Sequence, residues 1–278
     1  MKVVRHPAAA DFFDRAGAWL ETAEAENNLI LGIVAYFKSN VGQLTVEPYF
    51  LTLEESGAIV GAALMTPPRR LLITTMPDTA VTTLADFMLA ETVTVPGTLG
   101  PKSETRLFAD YWTSRTGRLC RTKMSERIYA CESVAPLINA PGRLRGVVTD
   151  DQTLLSQWCI QFCLDARIAD ETVYFKARLP SKIADGSLFI WENNEACAMA
   201  GVERETSRGI AISWVYTPAH LRRRGYTTDC VAALTQRMLD SGKSFCCLYT
   251  DLTNPTSNSI YQKIGYRPVC DVQDWIFE

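Results

Sequence analysis

Histidine is nearly absent from this chain of 278 residues, which holds only His6 and His220. There are nine cysteines, but Cys159 and Cys163 stand four apart, Cys246 and Cys247 are adjacent, and nothing completes a tetrahedral ligand set. No metal is expected. Charge of one sign is also missing. With 28 Lys and Arg against 31 Asp and Glu, the net charge of −3 provides no field for nucleic acid or an anionic membrane, so neither partner is expected. Any phosphate site must be local. No run of about 18 apolar residues occurs. The opening MKVVRHPAAADFF lacks an apolar stretch of signal-peptide length, so a cytoplasmic location is expected. Both standard nucleotide signatures, G-x-x-x-x-G-K-[ST] and a G-x-G-x-x-G between strand and helix, are missing too, which excludes an ordinary P-loop or dinucleotide fold.

What is present is an ordinary globular composition, 47% hydrophobic and 21% charged, enough to build a core in each of two domains. The cysteines sit mostly in apolar segments and are expected as reduced core thiols. Ala8 to Phe37 has helical apolar spacing, followed by a meander of strands in YFLTLEES, AIVGAALMTP and RRLLITTM. Asp78 is a candidate N-cap for the helix DTAVTTLADFMLAE. VTVPGTLG then reads as a strand, SETRLFADYWTSRTG as a helix ending at Gly117, and RLCRTKMSERIYACESV as one or two closing strands.

APLINAPG, from Ala135 to Gly142, carries two prolines and a glycine after a complete set of elements, and places a domain boundary that separates 1–138 from 139–278. The order then begins again. RLRGVV is a strand and DQTLLSQWCIQFCLDA a helix, an irregular stretch runs to about Ala184, and SLFIWEN, EACAMAGVERE and RGIAISWVYTP are strands. After a loop and helix, the chain closes with strand FCCLYTDL, helix PTSNSIYQKIG and strand YRPVCDVQDWIF. A duplicated α/β (α+β) unit explains the shared plan, with GPKS at Gly100–Ser103 echoing NPTS at Asn254–Ser257.

The most informative stretch is HLRRRGYTTDCVAAL, His220–Leu234. A glycine-containing loop between a strand and a helix N-terminus can present several backbone N–H groups and the positive helix end to one anion. Gly225 admits a close ligand, Thr227 and Thr228 are possible hydroxyl donors, and Arg222, Arg223 and Arg224 supply charge. Basic residues before a helix are also a common solvated face. Arginines there oppose the helix dipole, and a bound anion would relieve that conflict.

RRRGYT, Arg222–Thr227, resembles the acyl-CoA pyrophosphate loop of the GNAT N-acetyltransferase superfamily, Gln/Arg-x-x-Gly-x-Gly/Ala after the fourth strand. Arg222 and Gly225 match, while Thr227 departs from the small final residue. NPTSNSIYQKIGYRPV is similar to the family's next motif in the spacing of Asn254, Ser257, Tyr261, Gly265 and Tyr266. The resemblance covers about Arg143 to Glu278. It implies tandem GNAT-like domains, each a mixed, mostly antiparallel sheet flanked by helices, with acetyl-CoA or another acyl-CoA as co-substrate.

The same resemblance implies a set of roles. Backbone groups of Val215 and Tyr216 would pair with the pantetheine arm and thioester, and residues Arg222 to Thr227, Tyr226 included, would hold the diphosphate. Asn254 and Asn258 would hold the cofactor, and Tyr261 would be the general acid for the leaving sulfur. Glu203 and Glu205 are candidates for a general base through water, and equally read as solvated hairpin carboxylates. His220 lies near the loop and reads more simply as a surface histidine. In the first half the corresponding segment PDTAVTTLADF has no arginine or glycine, and Leu107 stands where the echo places Tyr261, so that half is expected to keep the fold without the cofactor and to shape the acceptor cleft. The expected activity is acetyl transfer to a primary amine of a small molecule or peptide. Two alternatives are a glycine-type amino-acid N-acyltransferase using longer acyl-CoA and a non-catalytic CoA sensor. Monomer and homodimer both stay open.

Overall fold

The computed structural model describes residues 1–40, 47–91, 93–136 and 140–278. They form eight α-helices and twelve strands, divided between two compact units. The first unit is Met1–Ile128 with Tyr249–Asn254 and Pro268–Glu278, and the second is Tyr129–Leu248 with Pro255–Arg267. The expected boundary between 138 and 139 lies outside the described residues, and the units are not two contiguous stretches.

In the first unit, β1 (Lys2–His6), β2 (Tyr49–Glu55), β3 (Ala58–Met65), β4 (Leu71–Ile73), β5 (Gly97–Pro101) and β6 (Cys120–Cys131), the last as far as Ile128, are accompanied by α1 (Ala9–Glu21), α2 (Asn28–Ser39), α3 (Asp78–Ala90) and α4 (Lys102–Thr116). The sequence predicts a helical start. Instead, KVVRH forms an edge strand paired antiparallel with β2, Lys2↔Glu54 through His6↔Phe50, and five residues are too few to show a strand period. Phe12, Ala16 and Leu20 of α1 recur every fourth residue, which puts all three in one buried stripe. Gly117, at φ +70°, terminates α4 in the left-handed conformation, as the sequence implies.

The second unit contains β7 (Arg143–Gly146), α5 (Gln152–Asp165), α6 (Thr172–Ala184), β8 (Leu188–Asn193), β9 (Glu195–Glu203), β10 (Gly209–Tyr216), α7 (Tyr226–Asp240), β11 (Phe245–Asp251) as far as Leu248, and α8 (Pro255–Ile264), ending at the start of β12 (Arg267–Phe277). Its strands follow the order β11-β10-β9-β8-β7, antiparallel except for β10 against β11. The stretch expected to be irregular up to Ala184 is the helix α6. Phe175, Leu179 and Ile183 repeat at four-residue spacing and pack with Trp158, Met199 and Trp214, a pattern obscured in sequence by Lys182 and by Pro180 inside the helix. β9 is buried on both faces. Ala198 and Ala200 face the cluster built on α7, and Met199 faces the one built on α5 and α6.

β12 explains the divided units. It registers antiparallel with β5, Val272↔Pro101 through Ile276↔Gly97, so the last strand of the chain completes the sheet of the first unit. A Cβ on Gly97 would collide with the Trp275 carbonyl, so that position needs glycine for the approach of β12. The C-terminal residue is anchored in the same unit by Arg118 Nε to the Glu278 carbonyl at 3.3 Å and Glu278 N to the Leu119 carbonyl at 2.9 Å.

Candidate functional site

β10 and β11 pair in parallel only from Gly209↔Phe245 to Ala211↔Cys247, after which both strands continue without a common register. On its other side β10 carries a bulge, because Ser213 pairs with Gly201 and Tyr216 with Met199, so three steps face two. Trp214 lies at this bulge with φ +57°. Its effect on side-chain direction is visible in the packing. Ile210 and Ile212 face α7, whereas Trp214 and Tyr216 both face α5 and α6, so the bulge resets the alternation by one residue. Val215 and Tyr216, expected to offer backbone groups to a thioester, are therefore placed where β10 has left the register of β11.

After Thr217 and Pro218, a short 3-10 turn at Ala219–Leu221 leads to the arginines. Arg223 and Gly225 have φ of +65° and +86°, and α7 begins at Tyr226. A Cβ on Gly225 would lie 3.4 Å from Ala140 Cβ and 3.6 Å from Asp229 Oδ2, so glycine is favoured there by backbone conformation more than by space. The first N–H groups of α7 have no acceptor within the helix, which together with the helix dipole suits an anion.

The arginines differ in what holds them. Arg222 donates from Nε to the Thr217 carbonyl at 3.0 Å, pairs through Nη2 with Asp165, and lies 5.9 Å from the Tyr216 ring centre. Arg224 donates to the His220 carbonyl at 3.3 Å and Arg223 is exposed. Thr227, expected as a hydroxyl donor, shares a 2.7 Å hydrogen bond with the buried Thr217. The Tyr226 side chain is also turned inward, buried and accepting from Asn193 Nδ2 at 3.1 Å, which leaves its backbone as the part near the loop.

Tyr261 is on α8, buried in the same cluster as Ile212, Tyr226 and Leu248, with its ring edge-on to Tyr266 at 5.9 Å. Burial, with no hydrogen-bond partner for the phenol among the described residues, pushes its pKa up to about 12. Gly265, at φ +117°, ends α8, and its missing Cβ leaves room for the Ser133 carbonyl. Asn254 stands immediately before α8, its N–H bonded to the Asp251 carbonyl at 3.0 Å. Asn258 Oδ1 accepts from the Tyr129 hydroxyl at 3.1 Å, which itself accepts from Gln262 Nε2 at 3.0 Å.

Glu203, at the end of β9, is no solvated hairpin carboxylate. Its Oε1 accepts from Trp214 Nε1 at 2.8 Å and lies 3.6 Å from Lys182 Nζ, and Oε2 accepts from Arg204 at 3.4 Å. Burial alone would push its pKa up. The Arg204 and Lys182 charges and the Trp214 N–H outweigh that and hold it below the usual carboxylate range. Glu205 is exposed and paired with Lys243.

Several residues of the site escaped sequence reasoning. Asp229 is buried in the first turn of α7 and accepts from Ala140 N at 2.7 Å, tying the chain near the expected boundary to the loop helix, and burial pushes its pKa up. Its place four residues after Gly225 was the only available signal. Trp214 and Thr217 gave none. The sequence places Asp165–Asp185 in the acceptor wall, with Asp165, Asp170 and Glu171 as acids for a cationic amine or as solvated loop charges. In the fold, Asp165 pairs with Arg222 and Lys182 with Glu203. In the first unit, β4 passes through Pro77 directly into α3, whose first turn carries Asp78, and Leu107 lies on α4 packed against that unit's core. A cavity of about 30 Å³ there, lined by Asn27, Leu72, Leu99 and Tyr249 among others, has room for about two water molecules.

The parting strands, the bulge and the glycine loop opening α7 lie in the second unit, and the first unit repeats its element order. Residues 190–276 match the family model described as FR47-like protein. A solved GCN5-related N-acetyltransferase from Sphaerobacter thermophilus is similar over 99% of this chain and 95% of its own, at 13% identity and TM-score 0.66. A GNAT-family acetyltransferase from Colwellia psychrerythraea covers 100% and 99%, at 13% identity and TM-score 0.58. A tandem GNAT protein from the clavulanic acid biosynthesis pathway covers 100% and 98%, at 10% identity and TM-score 0.56. No curated protein matches the chain. The chain is thus of tandem GNAT fold, and its second half carries the FR47-like match. Among the described residues no helix is long and apolar enough to cross a membrane.

Proposed function

We propose that the protein is an acyl-CoA-dependent N-acetyltransferase that transfers an acetyl group directly to a primary amine of a small molecule or peptide. The observation that carries this reading is the parting of β10 from β11 directly before a loop whose Arg223 and Gly225 take positive φ and which opens α7. Strand backbone freed of its partner can hydrogen-bond an extended pantetheine arm, and the helix start can take a diphosphate. Arg222 fits that role in charge and place, on the condition that a diphosphate competes with Asp165 for it. The residues present therefore suit acyl-CoA, which when bound supplies the activated thioester carbonyl.

Tyr261 serves as general acid. A phenol held near 12 is fully protonated at neutral pH. Against a thiol in water, with a pKa of about 8.5, full transfer of its proton would be uphill by about 5 kcal/mol. The proton given to the thiolate is regained from the attacking amine nitrogen, which turns acidic once it bonds the carbonyl carbon, so the phenol is restored as the carbon–sulfur bond breaks. The first unit keeps the fold without a glycine loop, and we assign it no cofactor of its own.

The test is thiol release from acetyl-CoA across a panel of amines, run beside calorimetric CoA titration. Turnover with at least one amine is expected. Tight CoA binding with no release by any amine would favour a sensor, and absence of CoA binding would sink the reading.

A further inference from the structure

We infer that Glu203 is a positioning residue that fixes the bulge of β10, with Lys182 as its buried counter-charge. The inference rests on the acyl-CoA reading in assigning work to the end of β10. Trp214 takes a backbone conformation that L-residues other than glycine rarely adopt, so something must hold it there. Its indole is 1% exposed, donates to Glu203 Oε1 at 2.8 Å and meets the Phe175 ring edge-on at 4.7 Å. Lys182 comes from α6, is 3% exposed, and donates to the Val202 carbonyl while lying 3.6 Å from Glu203 Oε1. One carboxylate thereby ties together β9, β10 and α6.

The consequence reaches the reaction through Val215 and Tyr216. Were Trp214 to return to regular extended geometry, the alternation after Ser213 would shift by one residue, turning Tyr216 toward α7 and Val215 toward α5. The backbone groups meant for the thioester would turn with them. Each carboxylate oxygen already has a donor or counter-charge, Oε1 in Trp214 and Lys182 and Oε2 in Arg204, an arrangement that suits holding a position. The charged groups facing this carboxylate are Lys182 on α6 and Arg204 beside it, with Arg178 and Asp185 also acting on Lys182.

Two variants separate positioning from proton transfer. Glu203→Gln keeps an acceptor for Trp214 but strands the Lys182 charge, whereas Glu203→Gln with Lys182→Met removes both charges and keeps the acceptor. Positioning predicts that kcat/KM for acetyl-CoA falls about tenfold in the single variant, because a buried cation is left unpaired. In the double variant it should recover to within about threefold of wild type, with the acidic limb of the amine pH profile unmoved. A double variant that stays at least about a hundredfold down in kcat, as loss of a general base would leave it, overturns the inference. A readout independent of turnover is the indole Nε1–H resonance of Trp214, identified by its loss in Trp214→Phe. It should move and exchange faster with solvent in Glu203→Ala combined with Lys182→Met, and an unchanged resonance overturns the clamp. Failure of wild type to bind CoA at all would instead sink the acyl-CoA reading and leave the resonance test standing.

Discussion

Replacing Asp165 by Asn should tighten CoA binding. Arg222 is the arginine that matches the pyrophosphate motif, yet its Nη2 is paired with the Asp165 carboxylate at the end of α5. Any diphosphate has to displace that carboxylate or share the guanidinium with it. The pair is exposed, with side-chain exposures of 45% and 46%, which limits its worth to about 0.2–1 kcal/mol. Since about 1.4 kcal/mol is tenfold, freeing Arg222 should lower the Kd for CoA by at most about fivefold. Arg222→Ala should act the other way and more strongly, because it removes a charge-assisted contact of about 1.5–3 kcal/mol from the complex. In the double variant the Asp165 effect should vanish, since its only route to the ligand is through Arg222. Calorimetric titration of CoA at low and high salt supplies the measurement, and the Asp165→Asn gain should shrink as salt screens the pair. Unchanged or weaker CoA binding in Asp165→Asn would refute the competition, and a gain that persisted in Arg222→Ala would show that Asp165 acts otherwise.

Tyr261→Phe should lower kcat by about 10²–10⁴ with little change in CoA affinity, and should hardly alter thermal stability, because the phenol has no hydrogen-bond partner among the described residues to strand. With its pKa near 12, the wild-type enzyme should show no alkaline fall in kcat from this group below about pH 11. Gly225→Ala puts a Cβ on a residue at φ +86°, at a cost of about 1–2 kcal/mol, and should weaken CoA binding while the protein stays folded. Deleting Pro268–Glu278 should destabilise the first unit, because β5 then loses its antiparallel partner and keeps only the short parallel register with β4, and protease should attack residues 1–128 first. His6 is depressed mainly by burial, with Glu54 partly opposing and Arg15 adding to the shift. A base lowered in the folded state stabilises fully above its ordinary value of 6.5 and loses that contribution as pH falls through the lower folded value, so melting temperatures should drop on the acid side of pH 6.5 more in wild type than in His6→Asn.

Much of the fold was legible because its signals are local. Apolar recurrence marked α1, α3, α5 and α7, Gly117 marked the end of α4, and the parallel orders of elements marked a duplication. The elements that escaped show where local signals fail. Lys2–His6 is too short for a period, and α6 hides its buried stripe behind Pro180 and a lysine that is polar in sequence but buried in the fold. The site divides the same way. Gly225 and the arginines announced a loop that could face phosphate, because backbone freedom and charge are properties of single residues. Their availability is a property of pairs. Asp165 meets Arg222 from 57 residues away, and Thr217 meets Thr227 across the loop.

The chain by itself determined that there are two similar units, that the second carries a glycine loop leading from a strand into a helix, and that Tyr261 follows it on a later helix. Those features rest on short-range geometry that each residue type imposes on its neighbours. Tertiary structure alone decided that the last strand completes the first unit, and that a tryptophan bulge redirects the end of β10. It also decided that Glu203 meets the buried Trp214 and Lys182. Strand partners and buried charges are chosen by whatever lies across the space between elements, and that pairing is not written at any single position.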